Sequence, residues 1–424
     1  MQIYVVKPGD SLYSIAKMFG ISLHMIMETN GLERPNDLVV GQSILILTPE
    51  ITHTIRPGET IEYIAAQHNK SVNQIYRNNP YLNARPSLIV GDELVISYTD
   101  KPTTQISVNG FLYPNINHEL LTNTLPFLTY ISPFTYSFSY DGNLTPLRDE
   151  FILRRAYEYG VRPLMTLSSI DDDGRFSPEL SDALLNSVEM QQKLMGQVLN
   201  TLQTRQYSGV IVDFERIFPK NRDIYTNFIT NIHKFLNDNG YILYVAVAPK
   251  ISAEQFGALY TAHDYEGLGE ASDGVIIMTY EWGYIYSQPM AVAPIQKVEK
   301  VVQYAVSAIP ESKIFLGIPN YGYDWTLPFD EKTSRARVIG NEEAIQIAIT
   351  QNAAISFDEE SQSPYFRYYV NNKEHEVWFQ DARSSNAKFD LVKKYNLAGV
   401  SYWTIMKKSH PEWQLLNATF QINQ

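Results

Sequence analysis

The chain contains no cysteine. That excludes a disulfide framework, a thiolate nucleophile and any cysteine-bound metal. Positive charge is in deficit, with 34 Lys and Arg against 46 Asp and Glu, a formal net charge of -12. A nucleic-acid partner is therefore not expected. No uninterrupted apolar stretch approaches the ~18 residues of a membrane span, so none is expected. The first residues, MQIYVVKPGDSLYSIAKMFG, lack a basic segment leading into an apolar one. No signal peptide is visible in that pattern. The eight His are scattered and form no H-E-x-x-H pattern or Asp/His ligand cluster. No metal and no cofactor are expected, and a lone candidate such as His263 reads as a satisfied structural histidine.

Hydrophobic residues make up 44% and charged residues 19% of the chain, an ordinary globular composition. Aromatics reach 12%, led by 29 Tyr. A tyrosine offers a flat apolar face and a hydroxyl, which suits sugar surfaces as well as simple packing. The most informative stretch is Gly209-Val210-Ile211-Val212-Asp213-Phe214-Glu215. Residues two apart on a strand point to one side, so Asp213 and Glu215 project together from its end. Neighbouring carboxylates raise the pKa of at least one of them, as a general acid requires. A lone D-x-E is also how a solvated strand end reads, so the rest of the chain has to decide.

The first hundred residues are an internal repeat. Val6-Lys7-Pro8-Gly9-Asp10-Ser11-Leu12 returns as Ile55-Arg56-Pro57-Gly58-Glu59-Thr60-Ile61, and Ile15-Ala16 and Asn30 return as Ile64-Ala65 and Asn79. Val39-Val40-Gly41-Gln42 returns as Ile89-Val90-Gly91-Asp92, one residue further on. Each copy reads strand, turn, helix, helix, strand. Pro8-Gly9 marks the turn, Asp10 or Ser11 can cap the helix, and Leu12, Ile15, Ala16 and Phe19 share a helical face. Over residues 1–98 seven basic residues face nine acidic ones, so bulk positive charge is not the means of binding. The polar, proline-containing stretch 99–105 reads as a linker.

From Ile106 onward short apolar runs alternate with helical patterns. Eight runs read as strands: Ser107–Leu112, Tyr130–Phe138, Arg162–Leu167, Gly209–Phe214, Tyr241–Ala248, Gly274–Thr279, Lys313–Ile318 and Gly399–Trp403. Several are continuously hydrophobic, as strands covered on both faces should be. One helix is plain, with Ile224, Phe228, Ile232 and Leu236 on one face and a stop at Gly240. Eight strand–helix units fit an α/β (β/α)8 TIM barrel over 106–424, with catalytic residues at the C-terminal strand ends. Between the seventh and eighth strands, about 329–376, lies too much chain for one helix. It reads as a small α+β insertion walling one side of the cleft.

The repeats resemble LysM modules, over 1–48 and 51–98, each a small βααβ domain. The resemblance implies binding of N-acetylglucosamine glycans such as peptidoglycan or chitin. It implies ligand near Gly9, Asp10, Ser11, Leu12 and Leu38 in the first copy and Gly58, Glu59, Thr60, Ile61 and Leu88 in the second. The same residues also cap and pack helices. In the barrel, Gly209-x-x-x-Asp213-Phe214-Glu215, Met278-Thr279-Tyr280-Glu281-Trp282-Gly283, Gly317-Ile318-Pro319-Asn320-Tyr321-Gly322 and Gly399-Val400-Ser401-Tyr402-Trp403 resemble glycoside hydrolase family 18. The full family motif is D-G-x-D-x-D-x-E. Here Ser208 and Ile211 replace two of its Asp, and Glu281 stands where the family has Asp after Met-x-Tyr. Two LysM copies before such a barrel are similar to bacterial spore cortex-lytic N-acetylglucosaminidases.

The resemblance implies a retaining, substrate-assisted glycosidase, an exception to the usual two-carboxylate scheme. It implies Glu215 as acid and base, Asp213 as partner of the substrate's acetamido N–H, and Tyr280 as donor to the acetamido oxygen. Trp403 becomes the floor under the sugar, and Glu281, Trp282, Asn320, Tyr321 and Asp324 line the cleft. Trp403 also fits a barrel core and Tyr280 a structural hydrogen bond. Ser168, Ser169 and Glu376 are weaker candidates. The location implied is the spore, in cortex or coat, or the cell wall, and a monomer is expected. A chitinase remains a second reading, and a non-catalytic, lectin-like barrel a third.

Overall fold

The computed structural model describes residues 1–84 and 87–424. In the first module Gln2–Val5 pairs antiparallel with Ser43–Ile46, around helices Leu12–Phe19 and Leu23–Asn30. In the second, Pro49–Thr54 pairs with Glu93–Tyr98 around helices Ile61–Gln67 and Val72–Asn78. Ser11 and Thr60 cap the first helix of each copy. The repeated asparagine has a physical reason. Asn30 is buried, donates to the carbonyls of Ile26 and Leu45, and accepts from the Leu45 N–H. Asn79 does the same with Ile75 and Val95. One side chain thus ties the second helix to the closing strand in each small core.

Both modules set their second helix against the barrel's last helix, His410–Thr419, and they differ in the turn before the closing strand. In the first, Val39 is 7% exposed and belongs to the insertion's core with Ile339, Ala344 and Phe366. The Ile355 N–H donates to the Val40 carbonyl, and Arg383 Nη2 donates to that of Gly41. In the matching turn of the second module Ile89 is 52% and Val90 58% exposed. That module's helix Val72–Asn78 is also tied to the barrel by polar contacts. Arg77 Nη1 donates to the Pro126 carbonyl at 2.9 Å, and Asn417 Nδ2 to Asn78 Oδ1 at 2.9 Å.

Eight parallel strands close the barrel, in chain order Gln105–Leu112, Tyr130–Pro133, Arg162–Ser168, Gly209–Asp213, Ile242–Val247, Gly274–Ile277, Ile314–Pro319 and Gly399–Trp403. The eighth pairs with the first, Gly399 opposite Ser107. Strand alternation divides the core. Ile211, Tyr244, Ala246, Ile276 and Phe315 fill the interior, while Val210, Val212, Val245 and Ile277 face the helices. The second strand is shorter than expected, stopping at Pro133, and Ser137–Phe138 turn away to pair with Leu144–Thr145. Helix Arg222–Asp238 buries Tyr225, Phe228, Ile229, Ile232 and Leu236, whereas Ile224 is 37% exposed. An all-i+4 stripe drifts round a helix of 3.6 residues per turn, so its first member leaves the buried face.

The insertion is a five-stranded antiparallel sheet with helix Asn341–Thr350. Its strands run from Gly322–Thr326 to Lys373–Trp378. It therefore starts seven residues before the expected boundary at 329, because the Tyr323-Asp324-Trp325 stretch is itself a strand of that sheet. Among the described residues, no helix is long and apolar enough to cross a membrane.

Candidate active site

Asp213 is the last residue of the fourth barrel strand and is 3% exposed. Phe214 turns outward and stacks with Tyr225 and Phe228 in the helix layer. Glu215 returns to the interior side, and both carboxylates reach one cavity of about 310 Å³. Tyr280 and Glu281, just past the sixth strand, line the same cavity, as does Trp403 at the end of the eighth. Gly317 makes room for this arrangement. A Cβ there would stand 2.9 Å from the Tyr280 ring and 2.4 Å from the Ile277 carbonyl oxygen. Trp403 is held by the edges of Phe134, Phe111 and Tyr113, at centroid distances of 4.9, 5.6 and 6.1 Å.

Burial pushes the Asp213 carboxyl up. Burial also pushes up Glu215, helped by the charges of Asp213 and Glu281 and opposed by Arg216. Burial and these two acids favour the protonated form of Glu215. Tyr280 is held far above the ordinary phenol range, by burial first and then by the three carboxylates. Its hydroxyl is a donor at any working pH. Asp213 Oδ1 is buried and has no hydrogen-bond partner among the described residues, so an acceptor stands ready for a ligand N–H. Beneath it Ile211 occupies the family's middle Asp position and is wholly buried in apolar packing. No second acid supports Asp213 from below at that position, so desolvation sets its pKa.

Glu281 sits in the left-handed region at φ 67. That costs about 1–2 kcal/mol for a residue with a Cβ. Its carboxylate accepts hydrogen bonds from the hydroxyls of Tyr321 and Tyr323, the latter at 2.8 Å. Partial desolvation of the carboxyl in the cleft raises its pKa and these two bonds lower it, with desolvation prevailing.

Three expected cleft residues sit elsewhere. Asn320 is buried with its amide spent on the carbonyls of Thr404 and Lys407. Asp324 is buried in the insertion, bound to His375, Tyr368 and Arg337. Trp282 is half-buried and packs on the main core, and none of the three lines the cavity. Tyr321 is absent from the cavity wall and meets the site through its hydrogen bond to Glu281 and its edge contact with the Tyr323 ring. Glu376 pairs with Arg367 and Trp378 instead, and Ser168 bonds Thr135. Phe111 and Tyr323 line the cavity without having been singled out for it. Tyr113, whose hydroxyl the charges of Glu215 and Asp213 reach, was likewise missed. Phe111 and Tyr113 lie at the C-terminal end of the first strand, where the barrel rule alone could have found them.

In the modules Gly9, Ser11, Gly58 and Thr60 are exposed, and Leu38 and Leu88 are half-buried. Leu12 and Ile61 are core residues, packed under their own helices. Asp10 accepts from the Tyr4 hydroxyl and the Lys7 N–H, and Glu59 from His53 and the Arg56 N–H. Both acids therefore brace the turn. Among the described residues, no three His, Asp or Glu side chains converge as a metal site would need.

A cleft of carboxylates and aromatics at the C-terminal mouth of a (β/α)8 barrel defines a carbohydrate-cleaving class of protein. The chain belongs to the family of glycosyl hydrolases family 18, whose model matches residues 148–407, and LysM domain models match 4–47 and 53–97. It is 36% identical over 431 aligned residues to the cortical fragment-lytic enzyme of Bacillus subtilis (strain 168), covering 100% of this chain and 99% of that one. The crystal structure of the Bacillus megaterium QM B1551 spore cortex-lytic enzyme SleL superposes with a TM-score of 0.84 at 36% identity, covering 100% of this chain and 98% of that one. A chitinase from Chromobacterium violaceum ATCC 12472 shares the fold, with a TM-score of 0.68 at 23% identity over 74% of this chain and 98% of that one.

Proposed function

We propose that this glycoside hydrolase cleaves β-1,4 bonds after N-acetylglucosamine in peptidoglycan, in spore cortex during germination, with its LysM modules holding the polymer. One observation carries the reading. Asp213, Glu215, Tyr280 and Trp403 share one cavity on a chain similar from end to end to cortical fragment-lytic enzymes.

In the first step the acetamido oxygen of the bound sugar attacks its own anomeric carbon. The glycosidic bond breaks, and Glu215 gives its proton to the departing oxygen. Asp213 accepts a hydrogen bond from the acetamido N–H on Oδ1 and stabilises the developing oxazolinium charge. Tyr280 donates to the acetamido oxygen and holds it in line. Glu215, now ionised, takes a proton from water as that water attacks the same carbon; the oxazolinium C–O bond breaks, the acetamido group is restored and the configuration is retained. Trp403 forms the apolar floor under the ring. The location that fits this substrate is the spore.

The test is mass spectrometry of the fragments released from purified cortex peptidoglycan by wild type and by Glu215→Gln. Fragments ending in reducing N-acetylglucosamine from wild type alone support the proposal. Inert cortex with cleaved chitin oligomers would make the protein a chitinase. Binding without cleavage of either would make it a lectin-like barrel.

A further inference from the structure

His263 is 1% exposed and lies in the loop between the fifth strand and helix Tyr265–Glu270, outside the cavity wall. Its Nδ1 accepts a hydrogen bond from the Ala248 N–H at 2.9 Å. Nε2 therefore carries the proton and donates to the Phe214 carbonyl at 3.1 Å. These two partners are the first residues beyond two adjacent strands. The fourth strand ends at Asp213 and the fifth at Val247, and their ladder runs from Gly209–Ile242 to Val212–Val245. Toward the fifth strand the ladder stops at Val212, whereas on the other side Asp213 still pairs with Ser168 of the third strand. The imidazole spans the gap as one further rung, on the peptide that joins Phe214 to Glu215.

Its own position is secured. Lys250 Nζ donates to the His263 carbonyl at 3.0 Å, and the Tyr265 hydroxyl donates to the Ala248 carbonyl at 2.6 Å. Lys250 and Tyr265 are both buried. Burial, with the Lys250 charge adding to it, brings the imidazole down to about 4. The ring thus stays neutral, with one donor and one acceptor, over the whole range in which Glu215 must gain and lose its proton.

We infer that His263 is a positioning residue, which fixes the Phe214–Glu215 peptide and so aims the acid carboxyl at the glycosidic oxygen. This rests on Glu215 being the acid. A shift of about 1 Å in a reacting group costs on the order of 100-fold in rate, so one lost rung suffices.

The test compares His263→Gln with His263→Asn on cortex glycan, with Glu215→Gln measured alongside. The glutamine amide reaches the place of Nε2 and keeps a donor for Phe214, whereas the shorter asparagine reaches only the place of Nδ1. The Asn variant should lose about 10- to 100-fold in kcat with KM within about twofold, and the Gln variant should recover most of that loss. Melting curves of both variants accompany the kinetics. Equal losses in the two variants that track their melting temperatures, or wild-type kcat in the Asn variant, would overturn the inference. An active Glu215→Gln would instead bring down the acid assignment, and this inference with it.

Discussion

At the scale of single residues the site runs on desolvation. Glu215 and Asp213 are raised chiefly by burial, and Glu281 adds a like charge beside Glu215. Glu281→Gln removes that charge, so the carboxyl of Glu215 ionises more easily. The basic limb of the kcat–pH profile should move to lower pH, and an unmoved limb would show that Glu281 does not bear on the acid. The same shifts bear on stability. A carboxyl raised on folding binds more protons in the native state than in the unfolded chain, between its unfolded pKa of ~4.3 and its folded one. Stability therefore falls as pH rises through that window. Glu215→Gln should flatten the fall, measured as melting temperature from about pH 4 to pH 8. A slope equal to that of wild type would place the titration elsewhere. The D-x-E pair was legible because its members are two residues apart on one strand. Tyr323 was not, since only the folded insertion brings it to Glu281.

At the scale of elements the two modules are alike in sequence and unlike in duty. Gly41 and Gly91 occupy the same turn, at φ 86 and 95. Among the described residues a Cβ at Gly91 would meet nothing within 4 Å, whereas one at Gly41 would stand 1.8 Å from the Ile355 carbonyl oxygen. Gly91→Ala should cost only the left-handed backbone strain, about 1–2 kcal/mol. Gly41→Ala should cost a further ~1–3 kcal/mol, because the first module must back away from the insertion. Denaturant unfolding of the two variants checks this, and equal losses would mean that the first module does not bear on the insertion. The repeat pattern was plain in the sequence, including the turn glycine and the core asparagine. Which copy has its turn covered was not, because the covering residues, Ile355 and Arg383, lie more than 300 positions away.

At the scale of the whole molecule the modules and barrel share one core. Leu45, Leu47, Val95 and Tyr98 pack in the same cluster as barrel residues such as Ile106 and Val108. Buried polar contacts cross the joint, among them Asn417 with Asn78 and Gln414 with the Arg77 carbonyl. Apolar burial and satisfied polar groups in one interface make separate melting costly. Calorimetry should show a single transition, with calorimetric and van't Hoff enthalpies in agreement. Two separated transitions would mean that the modules are loosely tethered.

What the sequence determined by itself is whatever depends on local spacing. The repeat, the eight strands and the Asp213–Glu215 pair are written in periods of two and of 3.6, and in turn residues at set offsets. Tertiary structure alone decided the rest. It spent Asn320 and Asp324 on internal hydrogen bonds, set Tyr323 against Glu281, and put His263 across two strand ends. Those outcomes depend on which distant groups meet once the barrel closes, and a buried polar group takes the partner that the closed fold offers.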